Sequence, residues 1–447
     1  MVGRGLFVSV WLIAGGVSAA AANPLSVVQA GEMALAHSPR LQAASAQGDV
    51  AAARLGEALG GALPVVEFSE TFQRSNNPVF VFGSLLEQGR FGEPNFDVDR
   101  LNRPQALDNF RTAVEGRLPL FDQLQTPVAV AQARIGREQA AAARELVEQQ
   151  VRLDVVRTYF GVVVARAQQE AAEQSVRTAE AEVRRIRDFH AQRMVTDADL
   201  GAAEVQLAEF RQQQIEATAN VAVAVAALNT TLGLPLDSAH EMTAALGERS
   251  FEPPAPEALL RQALEHRADY RQAALAVEQQ DREIVAAIGR YLPRVEVSGS
   301  FGESGQHLGE GSADYRVGAR LALPVFDWQR EARLGQARAK RAVADAERRR
   351  REEEVRLEVV RAIERYRSAR ERAAVASGAA DQARKTLQIV DDRYQVGLTT
   401  ITEVLRAQSA LLRARLNLLG ARYDHYVGYA QMLFAAGVLG DLAAFDS

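Results

Sequence analysis

The chain contains no cysteine, which excludes disulfide bonds, thiol catalysis and thiolate metal sites. Its six histidines are scattered, and no two have the spacing of a ligand pair on one helix face, so no metal site is expected. The glycine-rich stretch 299–311 lacks phosphate-binding spacing, and no catalytic pair is evident, so we expect neither an enzyme nor a cofactor. The formal net charge is −5, which indicates no surface for nucleic acid.

Long apolar runs are also missing. Residues 1–22 have the pattern of a secretory signal peptide, with Arg4 as the basic residue, an apolar run over 6–17 and small residues at 20–22. That run is short for a membrane span, and no later run exceeds it. We expect the mature chain to begin near Asn23 and, because no cysteine follows the signal, to carry no N-terminal acyl anchor.

Proline is absent after Pro324, and the stretch that follows has an apolar seam in alternating steps of four and three. This heptad spacing predicts a coiled coil, and its strict 3.5-residue period implies a left-handed supercoil. Gly397 and the threonines after it interrupt the seam, which predicts a helical hairpin over residues 328–437. The outgoing seam is Val355, Val359, Ala362, Tyr366, Ala369, Ala373, Ala376, Ala380, Ala383, Leu387, Val390 and Tyr394, and the returning seam is Val404, Ala407, Leu411, Ala414, Leu418 and Ala421.

A second seam of the same kind lies 204 residues earlier and predicts a first hairpin over residues 128–232. We interpret the chain as an internal duplication, with a first structural repeat at 23–234, a linker at 235–256 and a second repeat at 257–447. The outgoing seam here is Val151, Val155, Thr158, Val162, Ala165, Gln169, Ala172, Val176, Ala179, Val183, Ile186 and His190, and the returning seam is Leu200, Ala203, Leu207, Phe210, Gln214, Ala217 and Val221.

Each hairpin is preceded by two segments in which polar and apolar residues alternate, which predicts strands at 65–72, 109–118, 294–301 and 314–323. The composition of residues 73–107 indicates a long loop, although Pro78–Gly83 could extend a strand. The first repeat is therefore read as helix, strand, loop, strand and long hairpin, and the second follows the same order.

The predicted strands carry charged and apolar residues on opposite faces. This is the dyad pattern of an outer-membrane barrel, in which apolar residues face lipid and polar residues face the lumen. Four strands cannot close a barrel wide enough for a channel, so the pattern predicts an oligomer; the alternative is a soluble sheet with one wet face. The predicted lumen-facing side chains are Arg111, Glu115, Arg117, Glu296, Arg316 and Arg320.

Several motifs resemble those of the TolC-family outer-membrane efflux proteins, the outer membrane factors of tripartite efflux and type I secretion systems. They are the Leu-Pro-(Leu/Val)-Phe-Asp sequences at 118–122 and 323–327, the pattern from Tyr394 to Leu405, and residues 77–91, which resemble a segment of one branch of the family. The resemblance covers the whole mature chain.

This resemblance implies a mainly α-helical fold with a membrane β-barrel part, assembled as a homotrimeric channel-tunnel. The barrel would lie in outer-membrane lipid and the helical barrel in the periplasm. The channel would dock a periplasmic adaptor (membrane fusion) protein and an inner-membrane pump of the RND, ABC or MFS type, and would conduct substrates outward passively. The residues do not distinguish among drugs, metal ions, metabolites and polypeptides as cargo.

The resemblance also implies that polar contacts among the hairpin tips close the periplasmic end. By motif, Asp199 and Tyr394 are candidates for one such latch. At the first tip Arg193 replaces the usual glycine, and either Thr196 or Asp197 can cap the return helix, so Asp197 has a capping interpretation beside a pore role.

The second tip supplies the remaining candidates. Thr399 stands where an arginine partner of the latch can occur, and either Thr399 or Thr400 can cap the helix. Glu403 matches an acidic position at the entrance to the pore. Arg406 stands where a second acid can line the pore, which would weaken an acidic constriction.

The alternative function, from another class, is a periplasmic coiled-coil adaptor or scaffold without channel activity. An adaptor has one hairpin inserted in a small β domain, whereas two hairpins, each preceded by a strand pair, favour the channel. Extraction that depends on detergent would distinguish the two.

Overall fold

The computed structural model describes residues 23–446, so the predicted signal peptide at 1–22 lies outside the described residues. The described chain forms two compact units, each built from segments of both predicted repeats. The hairpin unit comprises residues 23–39, 148–260 and 358–446, and the sheet unit comprises residues 40–147 and 261–357.

The fold is mostly helical, with helices and strands in the following chain order. They are β1 (Asn23–Leu25), α1 (Val27–His37), α2 (Pro39–Gly60), β2 (Val65–Ser75), α3 (Pro78–Glu87), α4 (Val98–Asn102), β3 (Leu107–Asp122), α5 (Gln125–Ala191), α6 (Asp197–Leu232), β4 (His240–Met242), α7 (Pro256–His266), α8 (Ala268–Gly289), β5 (Arg294–His307), β6 (Glu310–Ala322), α9 (Trp328–Gln395) and α10 (Ile401–Ala435).

The apolar seams predicted from the heptad spacing form the core of the long helices. Every seam position from Val151 to His190 and from Val355 to Tyr394 is buried or half-buried. In the hairpin unit Val176 and Ala179 of α5 pack with Phe210 of α6 and Leu412 of α10. α6 ends at Leu232 and is capped by Gly233, whose left-handed conformation (φ 72°) favours glycine.

The sheet unit contains one antiparallel meander in the order β2-β3-β5-β6. β3 pairs β2 on one side and β5 on the other, and a bulge near Pro119 shifts the second register. β2 and β5 begin at their predicted first residues and continue past the predicted ends, whereas β3 extends beyond its predicted segment at both ends. β6 begins four residues before its predicted segment and ends one residue before the predicted end. α2, α5, α8 and α9 all adjoin the same end of this sheet in sequence, where β2 and β5 begin and β3 and β6 end.

Residues 73–107 are not the loop that their composition indicated, and Pro78–Gly83 does not extend a strand. β2 continues to Ser75, and the segment then forms α3 and α4. The Asn77 side chain accepts hydrogen bonds from the backbone N–H groups of Val79 and Phe80, and Pro78 occupies the first turn. An Asn cap followed by proline is a strong helix start, and this local chemistry outweighs the strand propensity of the valines and phenylalanines.

The predicted linker, residues 235–256, is packed rather than extended. Its β4 pairs in parallel with β1, and Phe251 is buried in an aromatic cluster with Tyr366, His425 and Tyr429. The Tyr366 hydroxyl donates to the backbone oxygen of Phe251 at 2.7 Å. Buried Phe251 therefore attaches this irregular segment to α9 and α10, together with hydrogen bonds from Ser377 and Arg422 to Glu248.

α6 is the one helix among residues 23–446 that is long and apolar enough to cross a membrane by length and composition alone. Only 22% of its most apolar window is buried in the single chain. Val205, Ile215 and Val223 are all more than half exposed. The protomer therefore leaves an apolar surface on α6 uncovered.

Candidate functional site

Two features of the structure could serve a channel: the hairpin tips in the hairpin unit and the two faces of the sheet. The turns at the tips use different residues for the same backbone conformation. Arg193 has φ 59° and Gly397 has φ 76°, so each occupies the left-handed region that ends a helix. Arginine is strained there, whereas glycine is not.

Thr196, not Asp197, is the N-cap of α6. Its side chain accepts a hydrogen bond from the Asp199 backbone N–H, and the Asp199 carboxylate accepts from the Thr196 backbone N–H at 3.0 Å and from its hydroxyl at 2.7 Å. These donors hold the pKa of Asp199 below its usual range. Asp199 is therefore ionised and held in place by a capping box.

Asp197 contacts the opposite arm of the first tip. One of its carboxylate oxygens lies 2.6 Å from the His190 Nε2, and the Asp197 side chain is 97% exposed. The pair spans the turn from the end of α5 to the start of α6. A contact this exposed contributes little to stability, so both side chains are free to exchange partners at the surface.

Tyr394 lies against the first hairpin. The Arg185 guanidinium sits over its ring, 5.0 Å from the centroid. Burial raises the pKa of the Tyr394 hydroxyl, and the negative charges of Glu182 and Asp199 raise it further. The Asp199 charge thus acts on the Tyr394 hydroxyl, but no hydrogen bond joins these two predicted latch residues among the described residues. The phenol stays protonated as a hydrogen-bond donor.

Glu182, Arg185 and Asp391 belong to this cluster and were missed by the sequence reasoning. The Arg185 guanidinium lies 3.8 Å from the Glu182 carboxylate and 3.9 Å from that of Asp391. Glu182 is buried, and burial raises its pKa, with Asp391 adding to the effect and Arg185 opposing it. Glu182 directly precedes the seam residue Val183, and this position beside the buried seam is the signal that could have identified it.

The second tip pairs an acid with a base. The Arg406 guanidinium donates to the Glu403 carboxylate at 2.8 Å, one turn apart on α10, and both side chains are well exposed. Thr400 occupies the N-cap position without a side-chain cap bond, and Thr399 is half-buried. Arg406 therefore neutralises Glu403 within the protomer.

An apolar core lies beneath these polar groups and joins the two tips. The buried residues come from both hairpins, and half-buried side chains pack around them. Because both tips share one core, moving one tip disturbs the packing of the other. The core comprises Val183, Ile186, Ala203, Ile401, Val404 and Leu405, packed against Val195, Leu200, Leu207, Leu387, Val390 and Tyr394.

The strand registers place all six predicted lumen residues on one face of the sheet. Arg111 pairs across β3–β5 with Ser304, and its guanidinium donates to Ser304 at 2.8 Å and to Asp314 of β6 at 2.7 Å. Cross-strand partners share a face, which is termed the polar face here. The register pairs Glu115 with Ser300, Ser300 with Arg316, Arg117 with Ser298, and Glu296 with both Pro119 and Arg320.

The opposite face of the sheet, termed the apolar face, carries large hydrophobic side chains that no other part of the described chain covers. Phe68, Val114 and Phe301 pair across three strands, and Tyr315 continues the row on β6. Exposure reaches 80% at Tyr315. A continuous uncovered apolar surface of this kind marks contact with lipid or another protein. The exposed side chains are Val66, Phe68, Phe72, Val114, Phe301, Tyr315, Val317 and Leu321.

No group of three or more histidine, aspartate or glutamate side chains within residues 23–446 could hold a metal ion.

Comparison with solved structures identifies the fold. The chain is similar to CusC (19% identity, 92% of each chain covered, TM-score 0.77). It is similar to the CmeC outer membrane channel of Campylobacter jejuni (17% identity, 98% of this chain and 95% of that one, TM-score 0.78). It is also similar to the outer membrane protein VceC of Vibrio cholerae (19% identity, 92% and 96%, TM-score 0.75). No curated protein matches the chain.

The family model for outer membrane efflux proteins matches residues 30–234 and 259–438, which together make up most of the chain. The matched ranges contain both long hairpins, both tips and all four strands of the meander. The resemblance inferred from the motifs is thereby confirmed, and the chain belongs to the outer membrane efflux protein family.

Proposed function

We propose that this protein is the outer-membrane channel-tunnel of a tripartite efflux or type I secretion system. It would act as a homotrimer that passively conducts substrates from an inner-membrane pump and a periplasmic adaptor to the exterior. The single observation that carries the proposal is the four-stranded sheet with one polar and one uncovered apolar face.

The sheet needs partners if its apolar face is to contact lipid. Its outer strands, β2 and β6, each have one unpaired edge within the described chain. Unpaired backbone groups are costly in hydrocarbon, so only a closed barrel can span a bilayer. β2 and β6 run in opposite directions, so β6 of one copy can pair antiparallel with β2 of the next. Three copies supply twelve strands, an even number as in bacterial barrels.

The uncovered apolar surface of α6 supports the same assembly. In a trimer, six hairpins would form the tunnel wall, and the exposed Val205, Ile215 and Val223 would pack against a neighbouring copy. The recurring order of two strands followed by a long hairpin supports the proposed duplication, in which each repeat supplies an equivalent part of the wall.

The tip cluster would form the resting gate at the periplasmic end. Asp199 is ionised and fixed by the cap, and Tyr394 is a protonated donor that packs against the core shared by the two hairpins. The charges of Asp199, Glu182 and Arg185 all act on the Tyr394 hydroxyl. An adaptor or pump would open the gate by exchanging these polar contacts. The Glu403–Arg406 pair would leave the entrance with less negative charge than a ring of unpaired acids.

Single-channel conductance in planar bilayers, combined with the mass of the protein in detergent, tests this function. We expect a mass of three chains and discrete channel openings. Protein that is folded and inserted, has the mass of one chain and shows no openings would contradict the proposal and support the coiled-coil scaffold. A trimer without openings is tested again with the Asp199→Ala/Tyr394→Phe double variant, and if that variant is also silent the channel function is rejected.

A further inference from the structure

The segment between β2 and β3, residues 76–106, lies at the end of the sheet away from the long helices. β2 ends and β3 begins at this end, whereas α2, α5, α8 and α9 adjoin the opposite end. If the helices occupy the periplasm, as in the proposed function, residues 76–106 lie at the external mouth of the barrel.

α3 lies against the polar face of the sheet, and its own side chains make the contact. Val81 and Ser84 are buried, and the Gln88 amide donates to the backbone oxygen of Asp108 at 2.9 Å and to the Asn109 side chain at 2.8 Å. Asn109 occupies the same face as Arg111, two residues further along β3. A cavity of about 360 Å³ is lined jointly by α3 and by Thr71, Gln73, Asn109 and Arg111.

The exposure of neighbouring strand residues shows which face is covered. Ala113, on the polar face, is 4% exposed, whereas Val114, on the apolar face, is 43% exposed. Glu115, again on the polar face but nearer the helices, is exposed. The polar face is therefore covered towards its outer end, where Ser304 is fully buried and α3 lies beside Asn109 and Arg111, and it is open at Glu115.

Two further contacts fix the segment in this position. Gly89 has φ 64°, which favours glycine, and its backbone lies against Ser312 on the polar face of β6. Phe82, Phe91 and Phe96 form edge-to-face pairs with ring centroids 4.8 and 5.1 Å apart. These contacts between aromatic rings thus fold the segment into a small unit.

The side of α3 opposite the sheet is apolar. Val81, Ser84 and Gln88 face the strands, so Val79 and Leu86 lie on the other side of the helix. Val79 is 81% exposed and Leu86 is 52% exposed. In a barrel with the polar face inward, these side chains would point toward the axis.

We propose that residues 76–106 fold into the external mouth of the channel and that α3 narrows it with an apolar collar. The inference rests on the proposed function, because it requires the polar face to line the pore. One collar helix from each copy would select solutes by size and disfavour hydrated ions, as apolar constrictions do. The specificity of the conduit would then depend on its outer end as well as on its periplasmic gate.

The test uses the absence of cysteine from the chain, since a single introduced thiol is then the sole labelling site. Leu86→Cys is labelled in bilayers with a maleimide that carries a long polyethylene glycol chain, added from the external side. We expect a severalfold fall in single-channel conductance. Leu308→Cys, at the exposed β5–β6 turn on the same end of the sheet, is the matched control and is expected to change conductance little.

The outcomes separate the two proposals. Normal channels whose conductance is unchanged after complete labelling of Leu86→Cys, verified by mass, would overturn the collar and leave the channel function intact. An equal fall in conductance after labelling of Leu308→Cys would also overturn the collar, because a polymer attached anywhere at this end of the sheet would then reduce conductance. Protein that forms no channel either as the wild type or as the Asp199→Ala/Tyr394→Phe double variant would overturn both. If Leu86→Cys does not fold, Val79→Cys places the thiol on the same side of α3.

Discussion

Val114 and Glu115 are adjacent in the middle of β3 and lie on opposite faces of the sheet, so they provide a matched pair for testing which face meets lipid. Val114 pairs with Phe68 and Phe301, whereas Glu115 pairs with Glu67 and Ser300. Arginine at a lipid-facing position near the bilayer midplane costs about 2–4 kcal/mol, whereas a lumen position tolerates charge.

We expect Val114→Arg to lower the free energy of unfolding by about 2–4 kcal/mol for each copy, or roughly three times that for a cooperative trimer. Glu115→Arg is expected to cost less than about 1 kcal/mol, because its side chain remains in water and a like-charged neighbour of Glu67 is removed. Both variants introduce arginine into the same strand. The difference between their free energies of unfolding therefore reports whether each face meets lipid or water.

The assay is urea titration of the protein in lipid vesicles, with the folded fraction measured by the mobility of unheated samples in gels. Val114→Ala serves as the control for loss of the valine side chain. Equal destabilisation by the two arginine variants would refute the assignment of the faces, and a larger effect from Glu115→Arg would reverse it.

Three further predictions concern the tips. The Asp199→Ala/Tyr394→Phe double variant should raise single-channel conductance severalfold, because it removes two polar groups from the proposed latch. Glu182→Gln should stabilise the packed tips at neutral pH, measured by hydrogen exchange, because burial raises the pKa of Glu182 and its charged form is disfavoured in the folded state. Arg193→Gly should slow exchange at the first tip by roughly five- to tenfold, because relief of about 1 kcal/mol of left-handed strain stabilises the turn.

Each of these predictions has a control and a contradicting result. Thr196→Ala removes the cap of α6 but keeps the Asp199 carboxylate, so an equal rise in conductance would assign the effect to the cap rather than to the latch. Protonation of Glu182 stabilises the fold at low pH and this stability is lost as pH rises through its raised pKa, so the advantage of glutamine must vanish in acid. Gly397→Ala should speed exchange at the second tip, and no change there would count against the strain argument.

Periodicity allowed the hairpins, their seams and the two faces of the strands to be predicted, because a regular element repeats its environment every 3.5 or two residues. The left-handed turn at Gly397 could likewise be inferred, because a glycine directly after a helical seam commonly ends the helix in the left-handed conformation. Arg193 has the same left-handed conformation at the first tip. The sequence indicates this only because Arg193 lies 204 residues before Gly397, the same distance that separates the two seams.

Single contacts that are distant in sequence could not be predicted. Nothing near Phe251 indicates that it packs against Tyr366 and His425, more than a hundred residues later. α3 was missed because its residues have strand propensity, and the Asn77–Pro78 helix start was not given enough weight. Glu182 was missed because its raised pKa arises from packing between two hairpins.

The open edges of β2 and β6 have a consequence for biogenesis. A single copy exposes an apolar face, which is unfavourable in water. Its unpaired backbone groups on β2 and β6 are unfavourable in the hydrocarbon of the bilayer, so the isolated sheet is stable in neither environment. If the proposed trimeric barrel forms, membrane insertion and subunit association are expected to occur together, and the chain is expected to need chaperones until it meets other copies. A copy that folds but cannot pair at β6 would trap normal copies in unfinished rings, so such alleles are expected to be dominant over the wild type.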